Sequence, residues 1–259
     1  MSTLANATQV LRLVVRLRRA ITVSDVSQHL DMPKSSASRT LSQMRSVGFL
    51  DRDLSTRAYR PGPLILEAAN HFRTSEGALS LLQAQLDWLV AKTGYTTYID
   101  LRDGPDSLVV HMRIGSGALQ VYTPPGSRLP LHASSVGRAI LARLDDDAII
   151  QTLSLPQDAP RPKGTKAPAS RELLAQIAKI RARGWSLSRG ELIENVAGIS
   201  TAVTDPSTGQ IYGISVAMPA QELDADRIQR FSELLVDTTR QVGLQIGDPY
   251  WLDAAPPQA

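Results

Sequence analysis

Three short helical patterns in the N-terminal part constrain the fold of this chain more than any other feature. The first covers residues 4–17, and the second follows Thr22, whose hydroxyl is suited to cap a helix. Pro33 then interrupts the pattern, because proline is tolerated only in a turn or in the first turn of a helix. The third pattern covers 34–47 and is stopped by Gly48. The sequence therefore predicts three short helices that pack on one another.

The third predicted helix has an outward face of unusual composition. Ala37, Leu41 and either Met44 or Val47 form a narrow apolar stripe for packing on the first two helices. Small hydroxyls and cations fill the remaining positions, where an ordinary surface helix has Glu, Lys and Gln. Such side chains hydrogen-bond phosphates and base edges, and short ones allow a helix to enter the major groove of DNA. The residues expected to contact DNA here are Lys34, Ser35, Ser36, Ser38, Arg39, Thr40 and Arg45. The alternative is a plain helical hairpin.

Two short β-type segments, 49–52 and 57–62, surround a polar turn directly after this helix. A hairpin beside a recognition helix is a wing, whose cations lie along the DNA backbone or reach the minor groove. Arg57, Tyr59 and Arg60 complete the predicted DNA-contacting set. The alternative is a set of edge-strand charges that discourage aggregation.

Charge is unevenly distributed along the chain. Residues 1–76 contain 11 Lys and Arg against 6 Asp and Glu, whereas the remainder contains 17 against 19. A basic module attached to a mildly acidic body suits phosphate binding by one end, although a solvated charged face would have the same composition.

Other features exclude several classes of protein. The chain has no cysteine, so disulfides, thiolate metal sites and cysteine nucleophiles are impossible. No stretch approaches the roughly 18 uncharged apolar residues of a membrane span, and the start lacks the apolar run of a signal peptide. We therefore expect a cytoplasmic protein without a membrane partner.

Several segments spread over nearly the whole chain occur in the order found in one known family. The segments are 24–41, Gly48-Phe49-Leu50, 59–63, 126–142, Gly184-Trp185-Ser186, Gly190-Glu191 and 213–219. The first three resemble the DNA-binding domain of the IclR family of bacterial transcription regulators, in which Pro, Lys and paired hydroxyls typically open the third helix. The others resemble the effector domain of that family.

The second half of the sequence predicts an antiparallel sheet with helices on its faces. Strands are expected at 95–101, 108–112, 185–188, 196–204 and 210–218, with another at 119–122, and a loop is expected at 157–169. The fold class is thus α+β: an N-terminal winged helix-turn-helix, a linker helix, and an effector-binding domain that the resemblance implies is GAF-like. The expected boundaries are 1–62 for the winged helix-turn-helix, 63–76 for the linker helix, 77–250 for the effector-binding domain and 251–259 for a C-terminal tail.

The resemblance also implies where an effector binds. The positions that match the effector pocket of the family are Ser134, Ser135, Val136, Ser188, Gly198, Ser215 and Ala217. Free N–H groups at a helix start bind carboxylates, and serines on neighbouring strands orient a small acid or polyol. The alternative for Ser134 and Ser135 is simple helix capping. The match is imperfect, because many relatives have an acidic residue at 188, a cysteine at 198 and a serine at 217. Tyr98 and Arg113 are further candidates.

These observations favour a DNA-binding regulator that is controlled by a small organic acid and works as a homodimer or homotetramer without a cofactor. A hydrolase-like α+β enzyme with a basic N-terminal module is the main alternative, suggested by His132 near Ser134. A scaffold protein is the third. The four histidines have no metal-binding spacing, and no phosphate-binding loop or nucleophile elbow is present, so we expect no enzymatic activity.

Overall fold

The computed structural model describes residues 2–74, 77–117, 119–156 and 170–253. Contacts divide the chain into two compact units, Met1–Ser75 and Glu76–Ala259. Within the described ranges, no helix has both the length and the apolar character needed to cross a membrane.

The first unit contains four helices and a two-stranded sheet. In chain order these are α1 (Thr3–Leu17), α2 (Val23–His29), α3 (Lys34–Ser46), β1 (Leu50–Arg52), β2 (Tyr59–Pro61) and α4 (Pro63–Thr74). A capping box begins α2: Thr22 Oγ1 accepts the Asp25 N–H at 3.2 Å, and the Asp25 carboxylate accepts the Thr22 N–H at 2.8 Å. Arg19 also contacts Asp25 at 2.7 Å, so the connection between α1 and α2 is fixed by hydrogen bonds.

The core of this unit is formed by the inward faces of the three helices and the start of the hairpin. Its fully buried members include Val10, Leu13, Ile21, Val26, Ala37, Leu41 and Leu50. Strands β1 and β2 are antiparallel, and Ile21 exchanges two backbone hydrogen bonds with Tyr59 at 2.8 and 2.7 Å. The hairpin is thereby joined to the helices, which is the arrangement of a winged helix-turn-helix.

The second unit is built on a six-stranded antiparallel sheet in the order β5-β4-β3-β8-β7-β6. The strands are β3 (Thr96–Asp103), β4 (Asp106–Arg113), β5 (Arg128–Pro130), β6 (Ser186–Arg189), β7 (Val196–Asp205) and β8 (Gln210–Pro219). The helices are α5 (Ala78–Thr93), α6 (Ser135–Leu141), α7 (Asp146–Ser154), α8 (Ser170–Arg183), α9 (Ala225–Ile246) and α10 (Pro249–Asp253), and a short 3-10 turn covers Ala220–Glu222. The predicted α+β class is therefore confirmed.

Helices cover both faces of the sheet. On one face, large side chains such as Ile99, Ile214 and Val216 pack with residues of α5 and α9. On the other face, Val136 and Ile140 of α6 belong to a second apolar cluster with residues of α8. Because successive strand residues point to opposite faces, the same strands supply both layers.

The structure differs from the sequence prediction in two places. Residues 119–122 form no strand. Side chains of β3 hold them instead, through hydrogen bonds from the Thr96 hydroxyl to the Gln120 side-chain oxygen at 2.8 Å and from the Tyr98 hydroxyl to the carbonyl of Val121, and β5 pairs with β4. Trp251, assigned to the tail, lies in α10 with 3% exposure and donates its indole N–H to the carbonyl of Ala202. The loop predicted at 157–169 lies outside the described residues.

Candidate DNA-binding surface and ligand cavity

The outer face of α3 is exposed over almost its whole length. Its exposed candidates are Lys34, Ser35, Ser36, Ser38, Arg39 and Arg45. The helix begins after Pro33, which provides no side-chain cap. Because the first N–H groups of a helix lack partners within the helix, this end of α3 is suited to a phosphate oxygen.

Two of the predicted DNA-contacting residues do not lie on this surface. Thr40 is 6% exposed, because it stands three residues after Ala37 and beside Leu41 on the inward stripe of α3. Tyr59 is 2% exposed, since its backbone pairs with Ile21 and its ring lies in the core. The prediction of direct DNA contact was wrong for both side chains, and each contributes to packing instead.

The hairpin turn between β1 and β2 is held by one carboxylate. Asp53 Oδ1 accepts the backbone N–H groups of Ser55 and Thr56 at 2.9 and 2.8 Å and the Ser55 hydroxyl at 2.6 Å. These hydrogen bonds, first of all the one from the Ser55 side chain, hold the pKa of Asp53 below its usual range. Arg57 follows in a left-handed conformation at φ 59° and is exposed. The turn thus presents a cation at a fixed position.

Arg60 is exposed as well, but its guanidinium lies 2.8 Å from the carboxylate of Asp51. Arg52 stacks over the Tyr59 ring, with 5.4 Å between its guanidinium carbon and the ring centre. The wing therefore carries three arginines, one of them paired with an acid.

The second unit contains a cavity of about 560 Å³, counting the open space at its mouth. It lies between one face of the sheet and the start of α6, and the segments 121–129 and 188–198 contribute to its wall. All seven residues predicted from the resemblance line this cavity: Ser134, Ser135, Val136, Ser188, Gly198, Ser215 and Ala217. Tyr98 lines it too, whereas Arg113 does not and pairs with Asp87 at 2.8 Å.

The serines in the cavity differ in the hydrogen bonds that they already make within the protein. Ser134 Oγ caps α6 by accepting the Gly137 N–H at 3.0 Å, and Ser135 Oγ accepts the Ser200 hydroxyl at 2.8 Å. A Cβ atom at Gly198 would lie 2.7 Å from Ser135 Oγ, so the glycine makes room for that hydroxyl. The capping alternative thus describes Ser134, while Ser135 retains a hydroxyl hydrogen that can point into the cavity.

The sequence analysis missed one residue of the cavity wall, Asp100 on β3. It is 1% exposed, and Ser107 donates a hydrogen bond to its Oδ1 at 3.0 Å. Burial raises the pKa of Asp100 to about 7, and the Ser107 hydroxyl offsets this effect only in part. The available signal was an aspartate within the strand pattern Tyr98-Ile99-Asp100-Leu101, at an inward position that ordinarily excludes a charge.

Two findings bear on the hydrolase-like alternative. Ser134, its candidate nucleophile, is the cap of α6, and the described residues contain no group of three or more His, Asp or Glu arranged for a metal.

Comparison with known proteins gives matches along nearly the whole chain. A family profile described as the IclR helix-turn-helix domain matches residues 3–54, and one described as the bacterial transcriptional regulator IclR C-terminal matches residues 75–244. The second profile alone covers more than half of the chain.

Relatives and a solved structure extend these matches. The chain is 25% identical to the HTH-type transcriptional repressor AllR of Salmonella typhi, over 92% of this chain and 87% of AllR. It is 26% identical to the HTH-type transcriptional regulator BhcR of Paracoccus denitrificans, over 88% of this chain and 82% of BhcR. An IclR homolog from Microbacterium hydrocarbonoxydans, crystallised with 4-hydroxybenzoate, has a similar fold with a TM-score of 0.74, at 24% identity over 98% of this chain and 100% of that one. The two relatives AllR and BhcR are named as transcriptional regulators.

Proposed function

Because the chain belongs to the IclR family of bacterial transcriptional regulators, we propose that it binds a specific DNA operator and that a small molecule in its cavity controls this binding. The observation that carries the proposal is the exposed face of α3. This face combines a helix start that has no side-chain cap with exposed serines and Arg39. The wing with Arg57 at its turn supports it.

The proposed effector is a small organic acid. The cavity has room for a small ligand, and its serine hydroxyls and the N–H groups at the start of α6 can hydrogen-bond oxygen atoms. The apolar side chains of the wall, such as Val109, Val121 and Leu129, would contact a hydrocarbon part.

We propose further that the protein acts as a homodimer, or as a tetramer of two such dimers. Two copies place two α3 helices in successive major grooves, which predicts an operator with two related half-sites. An effector then changes operator affinity only if it binds the DNA-competent and DNA-incompetent states with different affinity.

The test begins with selection of duplexes from a random-sequence library by the full-length protein. The proposal expects an enriched site that binds in a mobility-shift assay, with affinity that falls as salt increases. Failure to enrich any sequence would overturn it.

Substitution of Arg39 tests the recognition face. Arg39→Ala is expected to weaken binding of the selected duplex by about 1–3 kcal/mol while changing the affinity for a random duplex much less. Arg16→Ala is the matched control, since it removes an equal charge from the exposed side of α1 in the same unit. The control is expected to leave the ratio of the two affinities unchanged, and an unchanged ratio in Arg39→Ala would exclude Arg39 from base recognition.

A further inference from the structure

Asp100 is the most unusual group in the cavity, because it is a buried acid with a single hydrogen-bond donor. Ser107 Oγ reaches its Oδ1, and no donor within the described residues reaches Oδ2. Burying a carboxylate destabilises the folded protein unless the charge is paired or both oxygens accept hydrogen bonds. A residue of purely structural value at this position would be apolar, like Val109, which pairs with Asp100 on the neighbouring strand and lines the same cavity.

The surroundings of Asp100 provide no counter-charge. The cavity wall, as far as the structure describes it, contains no Lys, Arg or His. Its other ionisable group is Tyr98, whose hydroxyl donates to the carbonyl of Val121 and accepts the N–H of Thr123 at 3.3 Å. The Tyr98 hydroxyl hydrogen is therefore used in a hydrogen bond within the cavity wall, and Tyr98 does not donate to Asp100.

The burial of Asp100 follows from the packing of α6 on the sheet. Asp100 pairs with Gly213 on β8, where a Cβ atom would lie 2.3 Å from Val136 Cγ2. The glycine lets α6 come close enough to keep water from the carboxylate. The resulting rise of the Asp100 pKa is consistent with a charge that lacks a partner in this structure.

We propose that Asp100 accepts a hydrogen bond from the effector, so that the effector is a small molecule bearing a hydroxyl or amine donor. This inference rests on the proposed function, because it specifies the ligand of the same cavity. The inference predicts that the cavity binds small molecules with a hydroxyl or amine group, including acids that carry one. It predicts weak binding of molecules whose polar atoms are all hydrogen-bond acceptors. A site with a buried acceptor discriminates strongly against analogues that lack the donor, since the acceptor is then left unpaired.

The first experiment uses matched probes that differ only in the donor. Direct binding to the full-length protein is measured by calorimetry for 4-hydroxybenzoate against 4-methoxybenzoate, 4-aminobenzoate against 4-(dimethylamino)benzoate, and 1,2-propanediol against 1,2-dimethoxypropane. We expect at least one donor-bearing member to bind at least tenfold more tightly than its methylated partner, and the pair concerned distinguishes a hydroxyl from an amine. Equal binding within every pair, or no binding by any donor-bearing probe, overturns the inference.

The second experiment changes Asp100 itself and measures both the melting temperature of the free protein and its affinity for the probes. At pH 8, where Asp100 is largely ionised, Asp100→Asn and Asp100→Leu are expected to raise the melting temperature of the free protein, because each removes an unpaired buried charge, and to weaken the donor-bearing probe at least tenfold. Asp205→Asn is the matched control in the same unit: Asp205 is 6% exposed and accepts the Ser207 N–H at 2.9 Å and the Ser207 hydroxyl at 2.6 Å. This control is expected to lower the melting temperature and to leave probe binding unchanged.

The outcomes separate this inference from the proposed function. A lower melting temperature in both Asp100 variants, or an unchanged affinity for the probe, would mean that Asp100 stabilises the fold and does not bind the ligand. Either result overturns the inference. Loss of duplex binding by the wild type itself would instead count against the proposed function.

Discussion

The close approach of α6 to the sheet depends on Gly213, and Gly213→Ala tests this dependence. The added Cβ would lie 2.3 Å from Val136 Cγ2 and 3.4 Å from Ile140 Cδ1. Val136 is 4% exposed and Ile140 is fully buried, so neither side chain can turn into solvent. Overpacking of this kind costs about 1–3 kcal/mol of unfolding free energy. Because Val136 also lines the cavity, the same substitution is expected to change ligand affinity.

A double-mutant cycle identifies the contact responsible. Val136→Ala removes both γ-methyl groups and alone costs about 2 kcal/mol through lost burial and a residual void. In the double variant the new Cβ occupies part of that void. The double variant is therefore expected to be more stable than the sum of the single effects by about 1–3 kcal/mol.

Urea unfolding followed by tryptophan fluorescence measures these effects in the full-length chain. Trp88, Trp185 and Trp251 all lie in the second unit, so the signal reports unfolding of that unit. Gly117→Ala is the control, since its added Cβ meets no atom closer than 3.7 Å. The packing argument would be refuted if Gly213→Ala had the same urea midpoint as the wild type. It would also be refuted if the changes in unfolding free energy of the two single variants added up to that of the double variant.

Three further predictions concern single side chains. Asp25→Ala removes the capping box and the contact with Arg19, and is expected to destabilise the first unit by about 1–2 kcal/mol in far-ultraviolet circular dichroism melts, whereas Ser38→Ala on the exposed face is not. Ser215→Leu is expected to abolish the effector response in mobility-shift assays while operator binding persists; a normal response would remove Ser215 from the site. Because the folded-state pKa of Asp100 is raised to about 7, the folded protein holds a proton there that the unfolded chain releases near pH 4, so its contribution to stability falls between pH 4 and 7. Asp100→Asn is expected to flatten this decline in urea titrations at pH 5 and pH 8, and an identical decline in the variant would contradict the assignment.

Local patterns in the sequence were sufficient for most of the fold. Helix α3 and the hairpin after it were readable because their apolar spacing and the Pro33 and Gly48 breaks act within a few residues. The seven cavity residues came from the resemblance, and the structure brings them to one wall. Their role in ligand binding stays a prediction, as do the domain boundaries.

The sequence predictions failed for side chains whose burial is determined by tertiary contacts. Thr40 has a side chain suited to DNA, but the packed stripe of α3 is wider than the apolar residues alone indicate, and it includes this threonine. Tyr59 is inward because its backbone bridges to Ile21, a pairing between residues far apart in the chain. Asp100 was missed for a similar reason, since the strand pattern indicates only an inward position, and the packing of α6 over Gly213 is what buries the carboxylate.

Strand β8 of the second unit divides its residues by size. On β8, Gly213, Ser215 and Ala217 alternate with Ile214, Val216 and Met218, and the large residues join the cluster formed with α5 and α9. The small residues face α6 and the cavity, where Gly198 of the neighbouring strand pairs with Ala217.

This alternation separates the cavity from the main core. The large residues belong to the larger of the two apolar clusters in the described part of this unit, so substitutions on the small face alter the cavity without removing that cluster. A side chain at position 198 would displace Ser135 Oγ, which a Cβ there would approach to 2.7 Å. A relative with a larger residue at this position must therefore hold that hydroxyl differently. The residues at 100, 198 and 215 all line this cavity, and we predict that they determine which of the proposed effectors it accepts.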